Sequence, residues 1–451
     1  MSLDIAKNVI EGNPTKTFFI EMITRDISIR DAILDLLDNS IDGASKINPH
    51  NYEGLFVEII IDKDKFIVKD NCGGFSLETA KKYAFRFGRP DDAPDTHGSV
   101  GRFGIGMKRA LFKIGKYFEV ESKHTEDHFQ VSVDVNTWRH KKKSITTNEI
   151  TTEVEDWDFS YEDITIESSN LEENGTYIEV SQLYDEVSEL FNDNEFLTSL
   201  RGDIERLLNF SLEKGIRITL NGEELSGKNI QIFNDESTPY MAEGVKDKVR
   251  YKVIGGLGVV GDPSKSGWYI YCNDRLVLEA DKSEITGWGT SGIPKWHIDH
   301  VMFRGIVFLD SDETINLPLT TTKKGIDATS DIYKFVHFFM REAMGNIMPF
   351  FKLVTKLGNE ANPYRELLGE TENKISVVEM KSTDLVIAPR KFVAPVVDQE
   401  AIATKKESVR ISYDVKKDWA NVARTHSKSK SLKELGETTF EYYIKMESLN
   451  E

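Results

Sequence analysis

Asp35-Leu36-Leu37-Asp38-Asn39-Ser40-Ile41-Asp42 lies inside a segment, Ser28 to Ala44, whose spacing predicts a helix. Ile29, Ala32, Ile33, Leu36, Leu37 and Ile41 form an apolar face at helical period, Ser28 is the expected N-cap, and Asp31 follows three residues later. Asp35 and Asn39 are four residues apart and project from one helical face. A carboxylate beside a carboxamide suits a particular chemistry, in which the amide oxygen ligates Mg²⁺ while the carboxylate orients an attacking water. Taken alone, the pair is better explained as the wet stripe of an amphipathic helix. Its neighbours along the chain change that balance.

Leu55 to Ile61 and Lys65 to Lys69 read as strands separated by the turn residues Asp62, Lys63 and Asp64. The second runs into Val68-Lys69-Asp70-Asn71-Cys72-Gly73-Gly74-Phe75. An Asp at a strand end can accept a hydrogen bond from an exocyclic amine, and glycines let the backbone pass close to a flat base; a plain Asp-Asn-Gly turn is the alternative. Further on, Val100-Gly101-Arg102-Phe103-Gly104-Ile105-Gly106-Met107-Lys108 leads directly into a helix from Arg109 to Ile114. Glycines at that spacing expose successive N–H groups at a helix N-terminus, an anion cradle to which Arg102 and Lys108 add charge. The Gly-Lys-Ser/Thr ending of a Walker A loop is absent. Strands are expected at Tyr117 to Lys123, Phe129 to Val135 and Thr176 to Val180, the last entered by Asn174-Gly175-Thr176. The Thr176 hydroxyl is placed to support Asp70 or a water beside it.

The order and spacing of these four segments resemble the GHKL ATP-binding fold, shared by DNA gyrase, large heat-shock chaperones, histidine kinases and MutL-type proteins. The first is similar to its N-box, the second to its adenine box, the third to its glycine-rich lid motif, and the fourth to its closing Gly-Thr. The resemblance covers Ser28 to Val180 and implies helices on a mixed sheet with ATP between them. It implies that Asp70 binds the adenine amine, that Asn39 holds Mg²⁺, and that Gly101, Arg102, Phe103, Gly104, Ile105, Gly106, Met107 and Lys108 wrap the phosphates. Asp42, Gly43, Gly74 and Thr176 complete the nucleotide contacts, and the segment from Ser76 to Ser99 becomes the mobile lid. Three departures stand out: Asp35 where hydrolysing members carry Glu, Cys72 for the first glycine of the adenine box, and Gly43 where alanine is usual. The shorter Asp35 implies slow turnover.

A second region, roughly Leu190 to Asp327, contains a helix-like stretch at Phe196 to Leu208 and strands near Ile216 to Leu220, Val249 to Ile254, Trp268 to Tyr271 and Gly305 to Leu309. Within it, Leu317-Pro318-Leu319-Thr320-Thr321-Thr322-Lys323-Lys324 resembles the segment that brings a second-domain lysine to the γ-phosphate in gyrase, MutL and MORC ATPases. Tyr271-Cys272-Asn273-Asp274-Arg275-Leu276 is similar to a MORC strand ending in Asn-Arg-Leu. Lys323 is thus the expected sensor of γ-phosphate, with Asp35 acting on the water. Gly256-Leu257-Gly258-Val259-Val260-Gly261 fits a dinucleotide pattern but opens no helix, and His297 and His300 have no carboxylate or cysteine pattern to complete a metal site.

The expected class is α+β: a GHKL ATP-binding sandwich over residues 1–187, a smaller transducer-like α/β domain over 188–330, a long helix over 331–360, a linker-like region over 361–408 and a small module over 409–451. Its length of 451 residues suits roughly two to four domains. No stretch approaches the ~20 apolar residues of a membrane helix, Met1 to Gly12 lacks a signal-peptide layout, and Cys72 and Cys272 sit in unrelated contexts, so a cytoplasmic protein is expected. The net charge of -18 argues against nonspecific coating of nucleic acid. Between Ile402 and Glu434, however, nine Lys/Arg face four Asp/Glu, a surface for nucleic acid or an acidic protein partner if it is more than solvated charge. The function expected is a Mg²⁺-dependent ATPase with slow hydrolysis, a switch or ATP-dependent homodimeric clamp resembling MORC or MutL in a DNA-linked or defence process. A chaperone-like ATPase acting on protein is the alternative. The clamp would use Pro14 to Arg25, with Phe18, Phe19 and Met22, as an exchanged strap.

Overall fold

The computed structural model describes residues 14–88, 105–147, 150–227, 230–234, 238–320, 325–357, 374–382, 391–395, 411 and 413–447. Gly101, Arg102, Phe103, Gly104, Lys323, most of the expected linker and the distal part of the expected lid lie outside them. The chain forms two compact units, Met1–Val396 and Val397–Glu451.

The first unit opens with helices α1 (Lys16–Arg25) and α2 (Ile29–Ile47). Ser28 caps α2 as expected, its side chain accepting from the Asp31 N–H. Two antiparallel strands follow, β1 (Phe56–Ile61) and β2 (Lys65–Asp70), then the short helix α3 (Leu77–Thr79) and α4 (Gly106–Ile114). Next come β3 (Gly115–His124), β4 (Asp127–Asp134), helix α5 (Val135–His140), the outlying hairpin β5 (Lys142–Thr147) and β6 (Ile150–Glu155), β7 (Glu162–Asp163) and β8 (Gly175–Leu183). Helices α6 (Asp185–Phe191), α7 (Asn194–Leu207) and α8 (Asn209–Glu213) lead to β9 (Arg217–Leu220) and β10 (Glu223–Glu224). These strands make one sheet in the order β10-β9-β1-β2-β8-β3-β4-β7, antiparallel except for β1 with β9. Alternation along β1 turns Val57, Ile59 and Ile61 towards the helices.

This layer extends past the expected boundary at 187. Val187, Phe191, Leu200 and Ile204 are buried in the same core as Ile33, Phe66 and Val180, and β9 completes the sheet beside β1. A parallel strand pair leaves no local signature, because its partners are brought together by the intervening helices. The layer built on the first sheet therefore runs on to Leu225.

The second sheet has the order β12 (Tyr240–Lys246), β13 (Val249–Leu257), β16 (Phe303–Asp310), β14 (Gly267–Cys272) and β15 (Arg275–Asp281). Helix α9 (Asp331–Leu357) lies on it through Val336, Met340, Ala343 and Ile347, all fully buried. Gly256 belongs to β13 and no helix follows Gly261, so the glycine pattern there is strand packing. A short pair, β11 (Gln231–Phe233) with β17 (Lys374–Ser376), precedes helix α10 (Val377–Ser382). In the second unit, helices Lys417–Ser427 and Leu432–Met446 form a hairpin through Lys428 at φ 56°.

The junction of β2 and β8 is tight enough to test. A Cβ on Gly175 would stand 1.9 Å from the Asp70 carbonyl oxygen. Gly175→Ala should therefore destabilise the fold by at least about 1–3 kcal/mol, the usual cost of overpacking, measured by urea denaturation.

Candidate functional site

Alternation along β2 decides where the site lies. Phe66 and Val68 point into the helix layer, and period two carries Asp70 inward with them, to 4% exposure. On α2, Ser40 shares the buried face of Ile33, Leu36 and Leu37. The Ser40 hydroxyl donates to Asp70 Oδ2 at 2.7 Å, and the Cys72 and Thr176 N–H groups donate to Oδ1 at 2.9 and 3.2 Å. Burial raises the Asp70 pKa above the ordinary carboxylate value, and the Ser40, Cys72 and Thr176 hydrogen bonds only partly oppose it. Three segments of the chain thus meet on one carboxylate. The contact from Thr176 comes from its backbone and not from the hydroxyl expected, because the antiparallel register sets Thr176 opposite Asp70.

The loop after Asp70 is held from β3, one strand beyond β8. Ser122 Oγ receives the Phe75 N–H at 2.8 Å, and His124 Nδ1 lies 2.8 Å from the Gly73 carbonyl oxygen. Gly74, at φ 60°, passes so close to β3 that a Cβ would meet the Lys123 carbonyl oxygen at 2.3 Å. Two departures from the family pattern touch one another here. A Cβ on Gly43 would stand 2.5 Å from the Cys72 carbonyl oxygen and 3.2 Å from the Cys72 Cβ. The carbon gained at Cys72 is balanced by the one missing at Gly43.

Where α2 crosses α4, Asp35 is 7% exposed and its Oδ2 accepts from Arg109 Nη2 at 2.6 Å. The Cβ position of Gly106 is 3.4 Å from the same oxygen, so Asp35 rests on the first turn of α4, whose N-cap is Ile105. Asn39 is exposed one turn further along α2, while Asp42, Ile105 and Met107 are half-buried. Lys108 departs from its expected place at an anion cradle. It shares the inner face of α4 with Leu111 and Phe112, and its Nζ donates to the Ala84 carbonyl at 2.6 Å. Burial pushes its pKa down to about 7, so it is a poor fixed cation.

Glu121, fully buried in β3, anchors the loop that precedes Gly175. It accepts from Ser169 Oγ at 2.6 Å and from the N–H and Nδ2 of Asn170, and lies 2.8 Å from His128 Nε2. Burial works to raise its pKa, but these hydrogen bonds prevail and lower it. Ser169 and Glu121 contact the same imidazole nitrogen, so the cluster is an anchor and not a nucleophile relay.

The expected strap residues form the packed helix α1 from Lys16 to Arg25. Lys16 Nζ is buried 4.0 Å over the Trp138 ring and donates to the Trp138 carbonyl at 2.6 Å. Phe19 is edge-on to Phe87 and Trp157, whereas Phe18 and Met22 are exposed. Of the three residues expected to face a second subunit, Phe19 is thus committed inward.

Sequence reasoning missed Ser40, Arg109, Ser122 and His124 as parts of this region. Ser40 was legible from its spacing on the apolar face of α2. The others arise from helix crossing and strand register, which leave no local signal. Among the described residues no three His, Cys, Asp or Glu side chains cluster as a metal site, and His297 and His300 cap their own 3₁₀ turn. A Mg²⁺ ion held by one amide oxygen and substrate phosphates needs no such cluster. No helix among the described residues is long and apolar enough to cross a membrane.

Residues 27–170 match the family model of histidine kinase-, DNA gyrase B- and HSP90-like ATPases. Comparison with curated proteins gave no match. The match begins just before the Ser28 cap and ends ahead of Gly175, so it spans the three longer motifs read along the chain. Residues 27–170 therefore belong to the GHKL superfamily, the ATP-binding fold of histidine kinases, DNA gyrase B and HSP90.

Proposed function

We propose that the protein binds ATP with Mg²⁺ at the face of α2, hydrolyses it slowly, and uses the cycle as a conformational switch. The observation that carries this reading is Asp70. Its Oδ1 already accepts two N–H groups, while Oδ2 accepts only the Ser40 hydroxyl among the described residues. A carboxylate oxygen has room for about two donors, so one lone pair of Oδ2 is left for an adenine amine. Asn39 is the residue to hold Mg²⁺, which supplies charge neutralisation of the phosphates. Asp35 orients the attacking water, and Arg109 fixes the direction of its carboxylate. The N–H groups around Ile105 and Gly106 face the phosphates.

The likeness to MORC and MutL proteins extends the proposal. Lys323 senses γ-phosphate from the second domain, and its flanks Leu319 and Ile326 bridge each other. Closure on ATP favours a homodimer, with Phe18 and Met22 as the exposed apolar residues of α1. The basic C-terminal region directs the switch to nucleic acid. ATP turnover stimulated by duplex DNA and not by unfolded protein is the expected outcome; the reverse would identify a chaperone-like machine.

ATP with Mg²⁺ should raise the melting temperature, since a ligand of the native state stabilises by mass action. Asp70→Asn keeps an acceptor for the two N–H groups but sets an amide at the adenine, so ATP affinity should fall at least about tenfold, read by calorimetry. Equal affinity would refute the site.

Asp35→Ala should retain ATP binding and lose turnover, and Asn39→Ala should weaken both in a Mg²⁺-dependent way. A phosphate-release assay paired with equilibrium binding separates the two.

A nonhydrolysable ATP analogue should shift the chain towards a dimer in light scattering, ADP should not, and Lys323→Ala should blunt the shift while adenine binding holds. An oligomeric state indifferent to nucleotide removes the clamp from the proposal.

A further inference from the structure

Between Asp35 and Asn39 on α2 stands Asp38, which neither adenine nor Mg²⁺ requires. It is 2% exposed. Its Oδ1 lies 3.0 Å from Arg275 Nη1, with the two side chains 3% and 8% exposed. Arg275 comes from the second sheet, at the start of β15. Removing two charges from water is costly, and apolar replacements of similar size stabilise a core as well or better. Stability alone is thus a poor reason for this pair.

The turn that carries Arg275 is held on every side. Cys272 pairs with Arg275 across a two-residue loop, in which Asn273 and Asp274 take φ 46° and 64°, as a tight hairpin of this hand requires. The Asn273 side chain exchanges hydrogen bonds with the Ser311 backbone at 2.9 and 3.0 Å. Asp274 receives Lys214 Nζ, from the end of α8, and Lys381 Nζ, from α10, each at 2.5 Å. Lys381 also pairs with Asp310 at 2.7 Å, and Lys252 caps the Met380 and Lys381 carbonyls. The guanidinium therefore reaches α2 from a turn with little freedom to follow it.

We propose that Arg275 is a positioning residue of the nucleotide site, delivered by the second sheet, whose ion pair with Asp38 sets the rotation of α2 and so the direction in which Asp35 and Asn39 face the substrate. The inference rests on the nucleotide reading above. Neighbouring helix positions differ by about 100° around the axis, so fixing position 38 fixes 35 and 39 with it. The angular tolerance for a water-orienting carboxylate is about 10–20°, within reach of a small roll of the helix. Because Asp274 ties the same turn to Lys381, the segment 374–382 bears on that rotation without touching the site.

The test compares Arg275→Met with the double variant Asp38→Leu/Arg275→Met, and adds Arg275→Lys and Lys381→Met. Each is measured for melting temperature, affinity for a nonhydrolysable ATP analogue, and kcat. Arg275→Met should lose stability, because it takes the cation away from a buried carboxylate, and the double variant should regain it. Analogue affinity in the double variant should stay within about threefold of wild type while kcat remains at least about tenfold down. Arg275→Lys should restore part of kcat, and Lys381→Met should lower kcat by less than Arg275→Met does. If the double variant regains kcat along with its melting temperature, the pair is structural and the inference fails. If affinity falls as much as kcat, Arg275 acts on binding and the inference also fails. A wild-type chain that does not bind the analogue at all overturns the nucleotide reading and this inference with it, and that is seen before any variant is made.

Discussion

A carboxylate driven into the core by strand alternation is the constraint around which the first domain is arranged. Asp70 must face inward because Phe66 and Val68 do. An unpaired buried charge is too costly to persist, so its donors have to arrive from elsewhere. They come from α2 through Ser40, from the loop at Cys72 and from β8 at Thr176. Satisfying one oxygen pair thereby fixes the height of α2 over the sheet, the path of the glycine loop and the register of β8. The close approaches at Gly43, Gly74 and Gly175 follow from that geometry, since three backbones cannot converge on one side chain with Cβ atoms between them.

Polar contacts of a different kind join the layers. Asp35 meets Arg109 where two helices cross, and Asp38 meets Arg275 where α2 meets the second sheet. Both carboxylates belong to one helix and are three residues apart, so a single rigid rod carries a contact to α4 and a contact to the second sheet. Apolar packing supplies most of the cohesion: the ring cluster of Phe19, Phe87, Phe112, Trp138 and Trp157 binds α1 to α4 and α5, and Phe210 inserts from α8 against Tyr271 and Phe308 of the second sheet. Such packing is tolerant of small rotations. The charged pairs are directional, and they define which rotation is adopted.

Much of this was legible along the chain. Ser28, the apolar period of α2, the alternation of β1 and β2 and the entry to β8 each carry a local signal, and the structure realises them within a few residues. What escaped the sequence was made by distance. Arg109 finds Asp35 only because α2 and α4 cross. Lys108 reads as a phosphate cation until its position on the inner face of α4 turns it to the Ala84 carbonyl. The strands β12 and β15 give no periodic signal because burial along them does not alternate, running inward at one end and outward at the other. The first domain reads as ending at 187 because nothing near Arg217 announces a partner as remote as Phe56.

That remote partner has a consequence for how the chain is made. Every other strand of the first sheet except the short β10 is complete by Leu183, yet one flank of β1 stays bare until Arg217 to Leu220 arrives. During synthesis, the emerging domain carries an open, apolar strand edge that a second nascent chain can pair with, and it loses that edge only when α6, α7 and α8 have been laid across the sheet. A fragment ending at 187 would keep this exposure permanently, while one ending after Leu225 closes it. The time from β8 to β9 on the ribosome is therefore an interval in which this protein is open to misassembly.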